Sequence, residues 1–183
     1  AGEAFSDLLD IVGIVERHQE QLRRRIIKFC GDGRFRPSIE LLQSIPGVGE
    51  IFSCVIFAEI GNFERFPNAD ALEFWAGLTP DNKESAGRTQ SGNITKAGSA
   101  TLRWAVCCAA MNMCKNDQRQ KTRKIRLRKR IGVKAKVNVA MGRRLLRIIF
   151  AMMRDGTIFE KRAIIKRKRT QHAAKVHASA NVK

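Results

Sequence analysis

Apolar residues recur every three or four positions over the first thirty residues of the chain. No proline lies between Glu3 and Cys30, and one apolar stripe is formed by Leu8, Ile11, Val15, Leu22, Ile26 and Phe29. This spacing places the stripe on one face of a helix. Its near-heptad rhythm is typical of a coiled-coil arm. His18 and Arg25 interrupt the apolar seam, so an ordinary amphipathic helix packed on its own domain fits the pattern equally well. We predict a helical arm over residues 1–36.

Two short apolar segments around a glycine-rich connection come next, in "SIELLQSIPGVGEIFSCVIFAEIG". Ser38 is a candidate N-cap for the first helix, and the second follows Gly49. The pattern predicts a helix-hairpin-helix near residues 38–60. Gly47 and Gly49 would let the backbone approach a phosphate, which the N–H groups at the start of the second helix could hold. The alternative is a structural turn between two core helices.

The rest of the chain to residue 160 also shows helical patterns. A short helix is predicted from a cap at Asn68 to Gly77, with core-facing residues Leu72, Phe74, Trp75 and Leu78. Ser99 is expected to cap a further helix. The segment 137–154 aligns Val137, Met141, Leu145, Ile148 and Met152 on one face. The predicted fold class is therefore mainly α: a long N-terminal helix, then a compact helical domain over residues 37–160.

A polar segment interrupts this helical pattern. Between Thr79 and Ser99 the only large apolar residue is Ile94, and hydroxyl side chains and glycines are frequent. We predict a long polar active-site loop at 79–98, followed by basic helices at 99–155. The last residues, 161–183, are basic and poor in apolar residues, and we predict a disordered tail there.

The charge of the chain is large and unevenly distributed. The 183 residues carry 35 Lys and Arg against 17 Asp and Glu, a formal net charge of +18. Residues 85–183 hold 26 of these bases and three of the acids, and 115–136 alone holds 11 bases and one acid. Such a field favours a polyanionic partner, and nucleic acid fits better than a membrane because no Trp- and Phe-rich amphipathic helix accompanies the charge.

Clustered arginines and lysines neutralise phosphates, although a charge run can also be a solvated face. The candidate nucleic-acid ligands are the two hairpin glycines together with Arg88, Lys96, Arg103, Arg123, Lys124, Arg126, Arg128, Lys129, Arg130, Arg143 and Arg147.

Other classes of protein fit the sequence less well. The five cysteines show neither CxxC spacing nor nearby histidines, so reduced core thiols are expected rather than a zinc site. No apolar run is long enough to span a membrane, and a signal-peptide pattern is absent, so we expect a cytoplasmic protein. The chain begins with Ala1, and we expect it to be a piece of a longer protein.

One run of residues carries a family resemblance. The blocks "PGVG", "AEIG", "RF", "GLTP", a serine- and glycine-containing loop, and "ITKAGSATLR" follow one another between Leu41 and Arg103, and "KVNVAMGRRLLRIIFAMMRDG" follows later. In this order they resemble the C-terminal transposase domain of the Piv-like insertion-sequence transposases, the insertion-sequence 110/116/902 type. The resemblance covers about 41–159.

The resemblance implies DNA transposition. Family members pair an N-terminal RuvC-like domain, which holds a divalent metal such as Mg²⁺ on four acidic residues, with a C-terminal domain that contributes a serine. A helical coiled coil joins the two, and some members use a guide RNA encoded in the element. The resemblance thus implies a transposase acting on DNA in the bacterial nucleoid, with the metal domain upstream of Ala1. Because such a reaction brings two DNA partners together, we also expect a homo-oligomer, formed through the N-terminal helix.

The family also indicates a catalytic serine. Members commonly read "SSGG" where this chain reads "ESAG", which places the nucleophile at Ser85, with Ser91 as the runner-up. A serine hydroxyl needs activation, and Arg88, Lys96 and Arg103 could stabilise the developing charge or simply contact phosphates.

Two other interpretations of the sequence compete with a transposase. The first is a non-catalytic helix-hairpin-helix module that binds nucleic acid. The second is a metal-dependent nuclease built on Glu59, Glu64, Asp70 and Glu73, although caps and solvated helix faces explain these acids better.

Overall fold

The mainly helical class predicted from the sequence is confirmed. The computed structural model of the chain describes residues 2–31, 33–85 and 88–160, and within 82–93 it describes backbone only. The predicted tail at 161–183 lies outside these residues. The elements are α1 (Gly2–Cys30), α2 (Arg36–Gln43), α3 (Glu50–Ile60), α4 (Ala69–Trp75), β1 (Pro80–Ser85), β2 (Arg88–Ile94), α5 (Ala100–Asn116), α6 (Gln118–Ile131) and α7 (Lys134–Asp155), with a 3₁₀ turn at Phe63–Arg65.

The core is built around α5, which packs against α3, α6 and α7. Small side chains such as Ala105 and Ala109 are fully buried on α5, and they let the neighbouring helices approach closely. On α7 the predicted apolar face is largely confirmed, because Val137, Met141, Leu145 and Met152 are buried while Ile148 is partly buried. No described helix combines the length and apolar character needed to cross a bilayer.

Two of the three helix caps predicted from the sequence are present in the structure. Asn68 caps α4 by accepting a hydrogen bond from the Ala71 N–H, and Ser99 caps α5 by accepting one from the Leu102 N–H, as predicted. The prediction for Ser38 is wrong. Helix α2 begins two residues earlier, because Pro37 fits the first helical turn with its fixed φ and its missing N–H.

The α4 region buries a different set of side chains from the one predicted. Leu72 and Leu78 are fully buried, but Phe74 and Trp75 are 59% and 42% exposed. Glu73 is fully buried in their place. Two arginines of α7 neutralise this carboxylate, and that is why an acid can occupy the inner face of the helix. The expectation of a solvated Glu73 is therefore wrong.

The polar segment predicted as a loop contains a β-hairpin. Strands β1 and β2 pair antiparallel with Pro80 opposite Ile94, and the register shifts between Pro80 and Asn82. The base is closed by backbone hydrogen bonds from Thr95 N–H to Thr79 C=O and from Lys96 N–H to Gly77 C=O. Backbone pairing satisfies the polar main-chain groups of a segment that has no apolar face to bury.

The predicted N-terminal helix is present as α1, and its C-terminal end packs against α3. Of residues 2–30 only Cys30 is buried, in a small cluster with Ile39 and Cys54. The apolar stripe of α1 is exposed, as are four further apolar residues of the helix. Their relative exposures are 38–64%, at Phe5, Leu8, Leu9, Ile11, Val12, Ile14, Val15, Leu22, Ile26 and Phe29. A coiled coil and the domain boundaries remain predictions. All five cysteines are free thiols.

Candidate nucleic-acid interface

The basic segment predicted from the sequence forms α6, which begins at a sharp joint with α5. Asp117 ends α5 and caps α6, where its carboxylate accepts hydrogen bonds from the Arg119 and Gln120 N–H groups at 2.7 and 3.3 Å. The only acid of residues 115–136 is thus engaged in capping. Helix α6 itself carries eight Lys and Arg and no Asp or Glu.

One flank of α6 forms a cleft of about 480 Å³. Four arginines spaced three and four residues apart make an arginine row on this flank: Arg119, Arg123, Arg126 and Arg130. Arg144 reaches the same cleft from α7, and its Nε donates to the Gln120 Oε1 at 3.4 Å. We call this the arginine cleft. Among the described residues, Arg123, Arg126 and Arg130 form no ion pair.

The electrostatics of the arginine cleft are unbalanced. Burial, reinforced by the charges of Arg123 and Arg119, lowers the pKa of the Arg144 guanidinium from its ordinary value. An arginine remains protonated in proteins, so the cleft holds like charges close together. An anion with several oxygens would relieve this repulsion, and the planar guanidinium forks suit phosphate.

The other flank of α6 forms a second cleft, which we call the lysine cleft. It is lined by Lys115, Lys121, Lys124, Arg128 and Lys129, together with Cys114 and Ile125. Its volume is about 660 Å³. The sequence-predicted ligands of α6 therefore divide between two sites: Arg123, Arg126 and Arg130 lie in the arginine cleft, and Lys124, Arg128 and Lys129 in the lysine cleft.

The two predicted arginines of α7 have intramolecular partners. Arg143 Nε donates to Glu73 Oε2 at 2.6 Å, and Arg147 Nε donates to Glu73 Oε1 at 2.5 Å. Arg147 also pairs with Asp70 at 2.6 Å. The hydrogen bond and the charge of Glu73 raise the pKa of the Arg147 guanidinium. These side chains fasten α4 to α7, so their prediction as phosphate ligands gains no support from the geometry.

Arg103 lies beneath the hairpin rather than facing outward as a free cation. Its Nη1 donates to the Ala76 C=O at 3.2 Å and to the Lys96 C=O at 3.5 Å, which joins the end of α4 to the end of the hairpin. The backbones of Gly98 and Trp75 also lie very close together here. A Cβ at Gly98 would stand 2.1 Å from the Trp75 carbonyl oxygen. The Lys96 side chain is exposed at this point.

Two glycines, Gly47 and Gly49, lie in the turn between α2 and α3 and differ in their surroundings. Gly47 has φ +88°, and a Cβ there would stand 2.5 Å from the Asn112 C and Met113 N atoms of α5. Gly49 precedes α3, and a Cβ there would meet nothing within 4 Å. The first turn of α3 carries Glu50, which pairs with Arg23 at 3.5 Å. Gly47 therefore serves packing, and a phosphate at Gly49 would meet a nearby carboxylate.

The two candidate serines both lie on the β-hairpin. Ser85 is the last residue of β1 and is paired in register with Arg88, the first residue of β2. Ser91 lies farther along β2, opposite Asn82. The side chains of Ser85, Arg88 and Ser91 fall outside the described part of the structure, so their predicted roles stay predictions.

Two members of the arginine cleft were missed from the sequence. Arg119 continues the spacing of Arg123, Arg126 and Arg130 by one turn, so the helical period could have found it. Arg144 comes from another helix, and no local pattern connects it to α6. Among the described residues no three His, Cys, Asp or Glu side chains come together as a metal site.

Comparison with known proteins finds a family to which part of the chain is similar. Residues 39–124 match the model of the Transposase IS116/IS110/IS902 family. The matched segment runs from α2 through the whole β-hairpin and α5 into the first half of α6. Over these residues the chain is therefore similar to that transposase family.

Individual relatives agree with the family match. The chain is 30% identical over 126 residues to the "Insertion element IS110 uncharacterized 43.6 kDa protein" of Streptomyces coelicolor, covering 69% of the chain and 31% of the relative. It is 27% identical over 168 residues to the "Probable family 20 transposase" of Pseudomonas aeruginosa, covering 86% and 47%. An insertion element IS116 protein of Streptomyces clavuligerus is 23% identical over 120 residues, covering 66% and 30%. The chain spans less than half the length of these relatives.

Proposed function

We propose that this chain is the DNA-binding and strand-joining part of a transposase, with Ser85 as the nucleophile and Ser91 as the alternative. One observation carries the proposal: the transposase match over 39–124 contains the entire hairpin, whose register places Ser85 opposite Arg88. The end of a β-strand is suited to present a nucleophile to a bound backbone, and Ser85 is the last residue of β1. The basic α6 lies within and just beyond the same segment.

The proposed step is a transesterification. The Ser85 Oγ attacks a DNA phosphorus and loses its proton to a base or to solvent. A serine–phosphate bond forms, the bond to the leaving deoxyribose oxygen breaks, and that oxygen takes up a proton. Cations near the phosphate, such as Arg88 or Lys96, would stabilise the charge that develops on its oxygens.

A covalent protein–DNA adduct tests this step. The chain, alone and joined to the upstream region of a full-length relative, is incubated with Mg²⁺ and labelled insertion-element ends, and denaturation-resistant complexes are counted. We expect an adduct that Ser85→Ala abolishes and that Ser6→Ala, an exposed serine of α1, leaves unchanged. If Ser85→Ala retains the adduct and Ser91→Ala removes it, Ser91 is the nucleophile. An adduct that survives both changes rejects the serine mechanism.

The remaining partners in the proposal lie outside the chain. In this proposal a divalent metal would bind the RuvC-like domain that the family resemblance implies. The proposal includes an element-encoded guide RNA as a further partner of the basic helices, with the bacterial nucleoid as the setting. Adding such an RNA should direct adduct formation to particular DNA sequences, and unchanged site selection would exclude it.

A homo-oligomer through α1 belongs to the same proposal. It is supported by the ten large apolar side chains that α1 exposes. The double change Leu8→Lys and Val15→Lys should convert an oligomer to a monomer in sedimentation experiments. An unchanged sedimentation coefficient would place the oligomer contact elsewhere.

The second candidate is a non-catalytic nucleic-acid-binding module. The two clefts of α6 favour it, since they are assembled entirely within this chain. Tight, salt-sensitive DNA binding without an adduct, even when the upstream region and Mg²⁺ are supplied, would select this module.

A further inference from the structure

The cations of α6 are separated by the helix itself. At about 100° per residue, the arginine row falls on one side of the helix axis. Lys121, Lys124 and Arg128 fall about 160° away on the other side. Between the two rows lies the buried stripe of α6, marked by Gln120 and the partly buried Leu127. The helix therefore lies on the protein body with a basic flank to each side.

We propose that α6 bridges two DNA segments, with one phosphodiester backbone in the arginine cleft and a second in the lysine cleft. The inference rests on the proposed function, because a strand-joining reaction must hold two DNA partners. It adds the lysine cleft as a second and separate DNA site.

Charge and distance separate the two sites. An α-helix with its side chains is about 10–12 Å across, close to the Debye length of about 10 Å at 0.1 M salt. A backbone on one flank therefore leaves the cations of the other flank largely uncompensated. No Asp or Glu of α6 is present to neutralise either row. Two backbones, one on each flank, would neutralise both rows and would be held apart by the helix.

The two clefts also differ in chemistry. Planar guanidinium groups dominate the arginine cleft and favour fixed, bidentate phosphate contacts. Four of the five cations of the lysine cleft are ammonium groups, which act as mobile point charges. The arginine cleft should therefore hold its DNA in a defined position, while the lysine cleft should accept DNA with less geometric demand.

Stoichiometry tests the proposal. Duplexes of about 10 base pairs span one helical turn, so each offers only a short stretch of backbone. A single duplex that straddles α6 with its two strands, across a major groove about 12 Å wide, would bind with a stoichiometry of one. The number bound per protomer is measured by sedimentation with labelled DNA. We expect two for the unchanged chain. We expect one for the arginine-row variant Arg123→Gln, Arg126→Gln and Arg130→Gln, and one for the lysine-cleft variant Lys121→Gln, Lys124→Gln and Arg128→Gln. The α1 control Arg17→Gln, Arg25→Gln and Lys28→Gln removes the same charge and should retain two.

The outcomes separate this inference from the proposed function. One duplex per protomer for the unchanged chain, lost on changing either row, would mean a single shared site and would overturn the bridge alone. No DNA binding by the unchanged chain would overturn the proposed function as well. If single-stranded RNA of equal length displaces the second duplex and binds more tightly, the lysine cleft is an RNA site and its assignment to DNA is wrong.

Discussion

Helices α6 and α7 both carry rows of arginines, yet they use them in opposite ways. On α7, Arg143 and Arg147 form ion pairs with the buried carboxylate of Glu73. On α6, Arg123, Arg126 and Arg130 line an open cleft without an ion pair among the described residues. The sequence spacing is similar in the two helices. What distinguishes them is whether another element supplies an acid, and this depends on the tertiary fold.

The largest effect is expected on removing the α7 pair. Changing Arg143 and Arg147 together to Met keeps much of the packing but leaves the Glu73 carboxylate buried without a cation. Loss of a buried partner costs about 3–5 kcal/mol, so urea denaturation should show a correspondingly lower free energy of unfolding. The matched change of Arg123 and Arg126 to Met should alter stability by less than about 0.5 kcal/mol. Equal losses in both variants would erase the distinction between the helices.

Gly47 and Gly49, in the turn between α2 and α3, extend the contrast between packing and binding. Gly47→Ala should destabilise the chain by about 3 kcal/mol, because its φ is positive and the new Cβ would collide with the α5 backbone. Gly49→Ala has room and an ordinary φ, and it should be nearly neutral in thermal unfolding. A stable Gly47→Ala variant with weakened DNA binding would instead restore the phosphate-binding interpretation of this glycine.

The α6 arginines should affect DNA binding rather than folding. Each phosphate contact contributes about 0.9 to the slope of log K against log salt concentration. The Arg123→Met and Arg126→Met double change should therefore reduce that slope by about 2, measured by fluorescence anisotropy with duplex DNA. A slope that stays at the unchanged value would show that these arginines make no phosphate contact.

A smaller effect is expected at the base of the hairpin. Arg103→Met removes the donor to the Ala76 and Lys96 carbonyl groups and should cost about 1–2 kcal/mol. Hydrogen exchange should quicken mainly between Gly77 and Ile94. Lys96→Met removes a neighbouring exposed charge and serves as the control, with little change expected. If both variants exchange alike, Arg103 does not fasten the hairpin.

The smallest effect is expected at Asp70, the exposed partner of Arg147. Asp70→Asn should cost less than about 1 kcal/mol in urea denaturation, because exposed ion pairs contribute little. A loss as large as that of the α7 double variant would make Asp70, rather than the buried Glu73, the main anchor of the arginines.

Local signals in the sequence were sufficient for much of the fold. The period of α1 and α7 and the caps at Asn68 and Ser99 depend on residues within a few positions of one another, and these predictions were confirmed. The exposure of Phe74 and the burial of Glu73 could not be read in the same way. They depend on arginines about 70 residues away, which no local pattern connects to α4.

The interface shows the same division between local and distant information. The basic character of α6 was evident from the composition of residues 115–136. Its separation into two clefts was not, because Arg144 and Lys115 come from neighbouring helices. The hairpin was missed since a polar segment without apolar alternation gives no strand signal. The position of Ser85 opposite Arg88 in the backbone register is equally a product of that pairing.

The attachment of α1 has a mechanical consequence. The helix is 29 residues long, about 43 Å at 1.5 Å per residue, and it packs against α3 at one end. That end is joined through aromatic rings, with Phe29 to Phe35 at 5.4 Å and Phe35 to Phe57 at 5.5 Å between centroids. A tilt of about 10° at this joint would move the far end by about 7 Å. Small shifts among the rings of Phe29, Phe35 and Phe57 would therefore produce displacements several times larger at Gly2.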